Sequence, residues 1–239
     1  FAILEDVLPP IFAKYGIYHE ASKPPFKRIP YLEAMDKYGS DKPDLRISLL
    51  VQDATAVLAD CGFGPFAGNV VKAVVAENFK GTRKQIDKLC ADVEVTSGQK
   101  TYWFRLDDNG ELVGGISKFV QEKKAEVIEA LGLKNGDLVA LCAGPLKTAQ
   151  KTAGVIRKAI GNSFEGYMKK ECYEFCWVVD FPMYEIGEES GELEFCHNPF
   201  SMPQGGAAAL ESQDPLEILA YQYDLVCNGI ELSSGAVRN

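Results

Sequence analysis

The amino-acid sequence predicts an α+β fold, and three stretches lead to that class. Residues 47–166 alternate strand-like apolar runs with amphipathic helices. Residues 174–185 form a long run of β-forming side chains, which predicts a strand. Residues 223–238 read as a β-hairpin, because Asn228-Gly229 between two β-prone runs is the strongest short signal for a two-residue turn.

The chain opens with an amphipathic helix, predicted for residues 1–15. Pro9 and Pro10 should bend or split this helix, and Gly16 should end it. The expected core face carries apolar side chains at spacings of three and four residues. These are Ile3, Leu4, Val7, Leu8, Ile11 and Phe12.

A short extended piece at 28–31 and a short helix at 31–38 follow. Residues 38–46 then combine turn-forming residues with opposite charges, which is typical of a surface turn held by local ion pairs.

The segment 47–166 reads as a self-contained α+β module. Thr82 and Gln85 form a capping box that should begin the helix 82–92. Further helices are predicted at 53–60, 117–131 and 147–160, and strands at 69–76, 100–106 and 138–142. No catalytic constellation is visible in this module, and its glycine-rich pieces lack the strand-loop-helix pattern of a phosphate loop.

The chain then returns to strands. After the strand 174–185, a polar turn at 187–191 precedes a strand that begins at Phe195. Asp214 and Pro215 match the first positions of a last helix, with the aspartate as N-cap and the proline as the first helical residue.

Length and composition describe an ordinary globular protein of one or two domains. The 239 residues are 46% hydrophobic and 10% aromatic, which is enough to bury a core. No apolar run approaches the roughly 20 residues that a membrane helix needs. Because no charged and then apolar leader precedes the fold, we expect a soluble, cytoplasmic protein without a membrane partner.

The net charge of −9 is concentrated at one end of the chain. Residues 167–239 carry three basic and thirteen acidic side chains, whereas the charges of residues 1–46 and 47–166 nearly balance. Nonspecific nucleic-acid affinity comes from Lys and Arg on phosphates, so general DNA binding is not expected. RNA contacts would come from the first two segments, although basic helix faces such as Arg83, Lys84 and Lys88 are more often merely solvated.

The seven cysteines are an odd number scattered through the chain, which indicates reduced and mostly buried thiols. A zinc site built from Cys172, Cys176, Cys196 and His197 is the minor alternative, because the spacing lacks any Cys-x-x-Cys pair.

The predicted hairpin pairs Cys227 with Ile230, Val226 with Glu231 and Asp224 with Ser233. Asp224 and Glu231 then share one sheet face, where they repel each other unless a cation lies between them or the face is well solvated. Magnesium carrying nucleotide phosphates is one natural guest, since it prefers one or two carboxylates plus phosphate oxygens. A sheet edge with solvated charges is the other interpretation.

Arg238 follows Glu231 by an odd separation, so a regular strand would turn it to the opposite face. One β-bulge corrects that parity, and Ser233-Ser234-Gly235 is suited to form one. The hypothesis is a single face that carries two metal-binding carboxylates and a guanidinium for an anionic substrate.

The hairpin resembles the paired strands of the aspartyl-tRNA synthetase family, whose two carboxylates and arginine recur here as Asp224, Glu231 and Arg238. The resemblance implies that Asp224 and Glu231 bind Mg²⁺ and ATP, and that Arg238 binds the side-chain carboxylate of aspartate. Ser233, Ser234 and Ala236 depart from the usual small or glycine positions.

Other stretches are similar to the bacterial-type members of that family. Residues 38–46 match a signature that lies near the tRNA acceptor end, which implies contacts from Ser40, Asp41 and Lys42. The run 177–185 matches the central strand, and 196–203 matches the substrate loop, where His197 approaches bound aspartate. Many members have a second histidine at the position of Asn198.

The resemblance covers the chain in order and implies a domain organisation. Residues 1–46 and 167–239 would be two parts of a class II synthetase antiparallel catalytic sheet, and 47–166 would be an inserted GAD module. The family's first and third motifs, its arginine-bearing second motif and its anticodon-binding domain are absent. We therefore expect this chain alone to be inactive.

The implied reaction is ATP-dependent activation of L-aspartate followed by transfer to the 3′ end of tRNA, in a homodimeric full-length protein. The tRNA is tRNA(Asp), and the sequence leaves open whether tRNA(Asn) is also charged. A non-catalytic tRNA-binding or scaffolding paralogue is the alternative, although it would not need all of Asp224, Glu231 and Arg238. An asparagine-loading enzyme is disfavoured by the GAD insertion and by Arg238.

Overall fold

The computed structural model describes residues 1–187 and 190–239. Its α-helices are α1 (Ala2–Tyr15), α2 (Tyr31–Tyr38), α3 (Thr55–Leu58), α4 (Arg83–Ser97), α5 (Ser117–Val120), α6 (Lys124–Leu131), α7 (Leu146–Ser163) and α8 (Gly206–Ser212). Its strands are β1 (Glu20–Ala21), β2 (Lys27–Pro30), β3 (Val51–Asp53), β4 (Val70–Ala76), β5 (Tyr102–Leu106), β6 (Leu112–Val113), β7 (Leu138–Gly144), β8 (Cys172–Tyr173), β9 (Phe175–Pro182), β10 (Tyr184–Ile186), β11 (Leu193–Phe195), β12 (Leu219–Cys227) and β13 (Ile230–Ala236). These elements confirm the α+β class.

The chain folds into two compact units. The first contains Phe1–Ala34, Asp41–Arg46 and Lys170–Asn239, and the second contains Met35–Ser40 and Ile47–Lys169. The second unit thus takes in the end of α2, which the sequence had assigned to the first part of the catalytic domain.

The main sheet of the first unit has the strand order β13-β12-β9-β2. Its strand pairs are antiparallel except for β2 and β9, which run parallel. Two smaller sheets pair β1 with β8 and β10 with β11.

Helix α1 covers the sheet with a face that shares only Leu8 and Phe12 with the predicted one. Trp177 is buried on β9, and its indole Nε1 donates a 2.8 Å hydrogen bond to Glu5 Oε1. A buried indole N–H needs an acceptor, so the helix turns Glu5 inward and leaves Ile3 79% exposed. Pro9 lies buried inside the helix, which continues to Tyr15 because packing outweighs local propensity.

The second unit is a sheet covered by helices on both faces. Its strand order is β3-β4-β7-β5-β6, and all neighbouring pairs are antiparallel. Helices α4 and α7 pack on one face of the sheet, and α3, α5 and α6 pack on the other. The capping box at Thr82 is confirmed. The helix predicted at 117–131 is instead α5 and α6, separated by a single 3-10 turn at Gln121–Lys123.

Helix α7 holds the chain where it passes into and out of the second unit. Arg157 is buried and donates hydrogen bonds to the carbonyls of Leu49 (2.6 Å) and Ile47 (2.8 Å). Its guanidinium also stacks 5.0 Å from the centre of the Tyr38 ring. Gly39 follows at φ +65°, where a Cβ would lie 2.4 Å from the Gly154 nitrogen.

Several elements of the C-terminal segment differ from expectation. The predicted strand 174–185 is broken at Met183 into β9 and β10, and β11 ends at Phe195 instead of beginning there. Asp214 caps only one 3-10 turn, with Asp214 Oδ1 accepting from the Leu216 amide at 2.9 Å, before the chain enters β12. The predicted turn 187–191 includes Glu188 and Glu189, which lie outside the described residues.

No helix among residues 1–187 and 190–239 combines the length and apolar character needed to cross a membrane.

The Gly39 crossing gives a direct stability test. Gly39→Ala adds a Cβ in a left-handed backbone conformation, 2.3 Å from the Gln150 carbonyl oxygen, and should lower the free energy of unfolding by at least about 2 kcal/mol. Gly62→Ala is the matched control, because Gly62 has φ +77° with no atom within 4 Å and should lose only about 1 kcal/mol. Urea unfolding of both variants makes the comparison, and equal losses would contradict the packing argument.

Candidate active site

The hairpin places the two predicted carboxylates on one sheet face. Val226 pairs with Glu231 and Cys227 with Ile230, as predicted. Asn228 and Gly229 take φ +52° and +79°, the left-handed pair that a two-residue hairpin turn of this type requires.

The bulge that corrects the strand parity lies earlier than predicted. Leu225 pairs with Ser233 after Val226 has paired with Glu231, so Leu232 is the extra residue, and Asp224 pairs with Ser234 instead of Ser233. Gly235 is not part of the bulge. It leaves space for the Tyr223 ring, which would lie 2.5 Å from a Cβ at this position. With this bulge, Asp224 and Glu231 lie on one face of the sheet. Counting alternate residues onward from Ser234 puts Arg238 on that same face.

Asp224 is a buried carboxylate with an unused oxygen. The residue is 4% exposed, and its Oδ1 has no hydrogen-bond partner within the described part of the chain. Burial raises the pKa of Asp224, the Ser234 side chain lowers it by hydrogen bonding, and Glu231 raises it by repulsion. The charges of Lys42 and His197 also lower this pKa.

Lys42 brings a positive charge to this face. Its Nζ lies 3.3 Å from Glu231 Oε2 and 2.8 Å from Asp41 Oδ2. Burial lowers the pKa of Lys42, but hydrogen bonds to Asp41 and Glu231 outweigh that effect and raise it. The sequence had placed Lys42 near a tRNA end, and its contact with Glu231 was not predicted.

The turn 41–46 is held rigidly next to the hairpin. Arg46 donates to both oxygens of buried Asp44, at 3.0 and 2.7 Å. Gly229 fits against this turn, because a Cβ on it would lie 3.2 Å from Asp44 Cβ. The predicted local ion pairs of this turn are confirmed.

His197 is held by two aromatic rings. The Phe181 ring lies 4.9 Å away and the Tyr31 ring 6.0 Å away, both nearly perpendicular to the imidazole. Burial raises the pKa of Tyr31 well above its usual value, with smaller contributions from Cys196, Asp41 and Glu185.

The loop after His197 is tied to the sheet at several points. Asp180 adopts φ +55° within β9, and its Oδ1 accepts a 2.7 Å hydrogen bond from Gln204 Nε2. A non-glycine residue in this backbone region marks strain that the surroundings must hold in place. The Met202 amide donates to the Val237 carbonyl at 2.8 Å, and Ser201 forms a β-bridge with Arg238.

The Arg238 guanidinium is oriented by an aromatic ring, and no carboxylate in the described residues neutralises its charge. Its guanidinium carbon lies 3.7 Å from the centre of the Phe200 ring. Within residues 1–187 and 190–239, no carboxylate forms an ion pair with it. A stacked, exposed guanidinium of this kind is suited to bind an anionic ligand.

The structure therefore places Asp224 and Glu231 on one sheet face with Lys42 against Glu231, and it pairs the loop after His197 with the segment that carries Arg238. Ser40 belongs to the second unit, whereas Asp41 and Lys42 belong to the first. Sequence reasoning missed Tyr31, Phe181, Phe200 and the Asp180–Gln204 pair. Aromatic residues flanking the predicted loop were the only available signal, because these contacts join distant parts of the chain.

The cysteines do not form a metal centre within the described residues. None of the seven cysteines forms a disulfide there, and no group of three or more His, Cys, Asp or Glu side chains is arranged to hold a metal. Burial raises the pKa of Cys176 to about 12. The zinc alternative therefore has no support in the described part of the chain.

Known proteins match this sequence over its whole length. The family model for class II tRNA synthetases (D, K and N) matches residues 1–239. An aspartate--tRNA ligase of Streptomyces coelicolor is 44% identical over 241 residues, covering all of this chain and 41% of the relative.

Two further relatives carry a different name, aspartate--tRNA(Asp/Asn) ligase. The protein of Acidiphilium cryptum is 48% identical over 248 residues, covering 100% of this chain and 41% of its own length. That of Paramagnetospirillum magneticum is 45% identical over 246 residues, covering 100% of this chain and 28% of its own length. The chain thus spans less than half the length of these relatives.

The buried Asp224 carboxylate predicts a stability cost without metal. Because its folded pKa is raised, ionised Asp224 destabilises the fold above that pKa, and the cost disappears as pH falls through it. Asp224→Asn should therefore raise the melting temperature in EDTA at neutral pH, and its advantage over wild type should shrink toward about pH 4.

The matched control is Asp214→Asn, since Asn caps a helical turn about as well as Asp. This variant should change the melting temperature little at neutral pH. Thermal unfolding at both pH values decides the matter. An Asp224→Asn protein that is less stable than wild type at neutral pH would contradict the burial argument.

Proposed function

This chain belongs to the class II tRNA synthetases (D, K and N), and from that premise we propose that the protein containing it is an aspartate-tRNA ligase. It activates L-aspartate with ATP and transfers the aspartyl group to the 3′ end of tRNA. The observation that carries the proposal is the grouping of Asp224 and Glu231 on one sheet face, with Arg238 stacked on Phe200 further along the segment that follows the same hairpin.

Arg238 selects the amino acid. Its planar guanidinium presents two parallel N–H donors that match the side-chain carboxylate of aspartate. The side-chain amide of asparagine offers one acceptor and no charge at the same position. One N–H donor of Arg238 would then be left without an acceptor. Phe200 stacks on the guanidinium and limits its rotation.

His197 contributes to the same pocket as a hydrogen-bonding group for bound aspartate. Its ring is fixed by Phe181 and Tyr31, so little side-chain entropy is lost when it contacts the substrate.

Asp224 and Glu231 fit a magnesium site. Mg²⁺ prefers one or two carboxylates together with phosphate oxygens, and Asp224 Oδ1 is a buried acceptor without a hydrogen bond in the described residues. When bound with ATP, magnesium would neutralise part of the phosphate charge.

The chemistry proceeds in two balanced steps. An oxygen of the aspartate α-carboxylate forms a bond to the α-phosphorus of ATP, and the bond from that phosphorus to the bridging oxygen breaks to release pyrophosphate. The 3′-hydroxyl of tRNA then attacks the aspartyl carbonyl, losing its proton as AMP leaves. Both steps depend on positioning and charge neutralisation more than on a covalent enzyme group. Arg238 and His197 hold the attacking aspartate in place.

The proposed nucleic-acid partner is tRNA(Asp), and whether tRNA(Asn) is a second substrate is left open by the relatives. Relatives of both printed specificities are about equally similar to this chain. We also propose that Ser40, Asp41 and Lys42 approach the acceptor end, that 47–166 is a GAD module, and that the full-length protein is a cytoplasmic homodimer. On α4, Arg83 and Lys88 already pair with Asp87 and Asp92, which weakens the case for their contacting RNA.

The first test is aspartate-dependent pyrophosphate exchange by the full-length protein. Exchange with aspartate and none with asparagine is the expected result. A folded protein that binds ATP and shows no exchange would instead favour a non-catalytic tRNA-binding or scaffolding paralogue, and tRNA binding would then be measured directly.

Arg238→Ala tests the substrate assignment. In the full-length protein it should reduce kcat/KM for aspartate in pyrophosphate exchange by more than about a hundredfold, since a charged hydrogen-bond pair is lost, while the KM for ATP changes little. Arg28→Ala is the matched control, because Arg28 also stacks on a phenylalanine, 4.7 Å from the Phe1 ring, and should leave exchange unchanged. Near-normal aspartate affinity in Arg238→Ala would refute the assignment.

A further inference from the structure

The Asp224 and Glu231 carboxylates repel each other on one sheet face, and the structure places the Lys42 ammonium against Glu231. Lys42 Nζ lies 3.3 Å from Glu231 Oε2, and its charge also acts on Asp224. Like charges that share a sheet face destabilise it unless they are offset. The ammonium therefore offsets part of the negative charge that the proposed function assigns to a divalent ion.

We propose that Lys42 is a built-in substitute for the metal: its ammonium neutralises the Asp224–Glu231 pair in the metal-free protein and leaves Glu231 when the metal–nucleotide complex binds. This inference rests on the proposed function, and it assigns Lys42 as a residue that sets metal affinity.

Lys42 has a second position available for its ammonium. Its Nζ lies 2.8 Å from Asp41 Oδ2, closer than it lies to Glu231. When Glu231 becomes a metal ligand, Lys42 can keep this contact and so does not lose its counter-charge. The Lys42 side chain is 36% exposed, so its ammonium is in part accessible to solvent.

The main chain that carries Lys42 does not need to move. The turn 41–46 is fixed by the two hydrogen bonds from Arg46 to Asp44 and by contact with Gly229. Only the lysine side chain has to shift, and exposed side chains do so in picoseconds to nanoseconds. The exchange of cations would therefore not slow nucleotide binding.

The charges of the carboxylates and of Lys42 agree with replacement of the ammonium by a divalent ion. Asp41, Asp224 and Glu231 carry three negative charges, and Lys42 offsets one of them. Two negative charges remain, which a divalent ion would neutralise while Lys42 stays with Asp41. A monovalent competitor held this close should weaken metal binding by a measurable factor.

The test is equilibrium binding of Mn²⁺–ATP to the full-length protein without aspartate, followed by electron paramagnetic resonance of Mn²⁺. Lys42→Met removes the competing ammonium and should lower the Kd by about three- to fivefold. Lys134→Met is the control, because Lys134 forms an ion pair of similar length with Glu77, at 3.0 Å, on a more exposed surface of the second unit, and should leave the Kd unchanged. An unchanged or higher Kd in Lys42→Met overturns the proposal.

Asp41→Asn provides a second variant with Lys42 intact. Without its second position, Lys42 should bind Glu231 more firmly, so the Kd should rise about threefold. In the double variant with Lys42→Met this rise should vanish, since it acts through the lysine. A rise of the same size in both backgrounds means that Asp41 acts by its own charge, which overturns the two-position account.

The failures of the two proposals are distinguishable. If the wild-type protein does not bind Mn²⁺–ATP, the metal assignment of the proposed function is wrong. If the wild type binds it and the Lys42 and Asp41 variants do not follow the expected pattern, only the present inference is wrong.

Discussion

Repulsion between two carboxylates on one sheet face is the constraint around which the first unit is arranged. Asp224 is buried on β12, and Glu231 lies beside it across the hairpin. Ionised carboxylates in such a place cost stability unless a cation or hydrogen bonds offset them. Ser234 and Lys42 supply part of that compensation, and the unused Asp224 oxygen leaves room for a ligand. A site that tolerates such a cost is typical of function rather than of packing.

The rest of the unit keeps this pair in place from several directions. The bulge at Leu232 returns the strand to the parity that Arg238 needs. The Asn228-Gly229 loop packs against the turn that carries Lys42. The loop beyond His197 pairs with the segment that carries Arg238. Each functional group is thus supported by backbone contacts, which position a side chain more accurately than side-chain contacts alone.

Local chemistry explains what could be predicted from the sequence. The hairpin turn at Asn228-Gly229 and the capping box at Thr82 depend on residues close together in the chain, and both are confirmed. The inward face of α1 could not be predicted, because Glu5 faces inward to meet Trp177, 172 positions away. The bulge position and the left-handed backbone of Asp180 are likewise set by neighbouring strands, and the Lys42–Glu231 pair joins two segments far apart in sequence.

Anomalous diffraction from crystals of the full-length protein with Mn²⁺, ATP and aspartate is the most direct test of the paired-carboxylate site. We expect a manganese peak about 2.2 Å from oxygens of both Asp224 and Glu231, with the aspartate side chain on the Arg238 guanidinium. Lys42 should then contact Asp41 and no longer contact Glu231. Manganese bound elsewhere, with Asp224 and Glu231 unliganded and Arg238 away from the amino acid, would contradict this expectation.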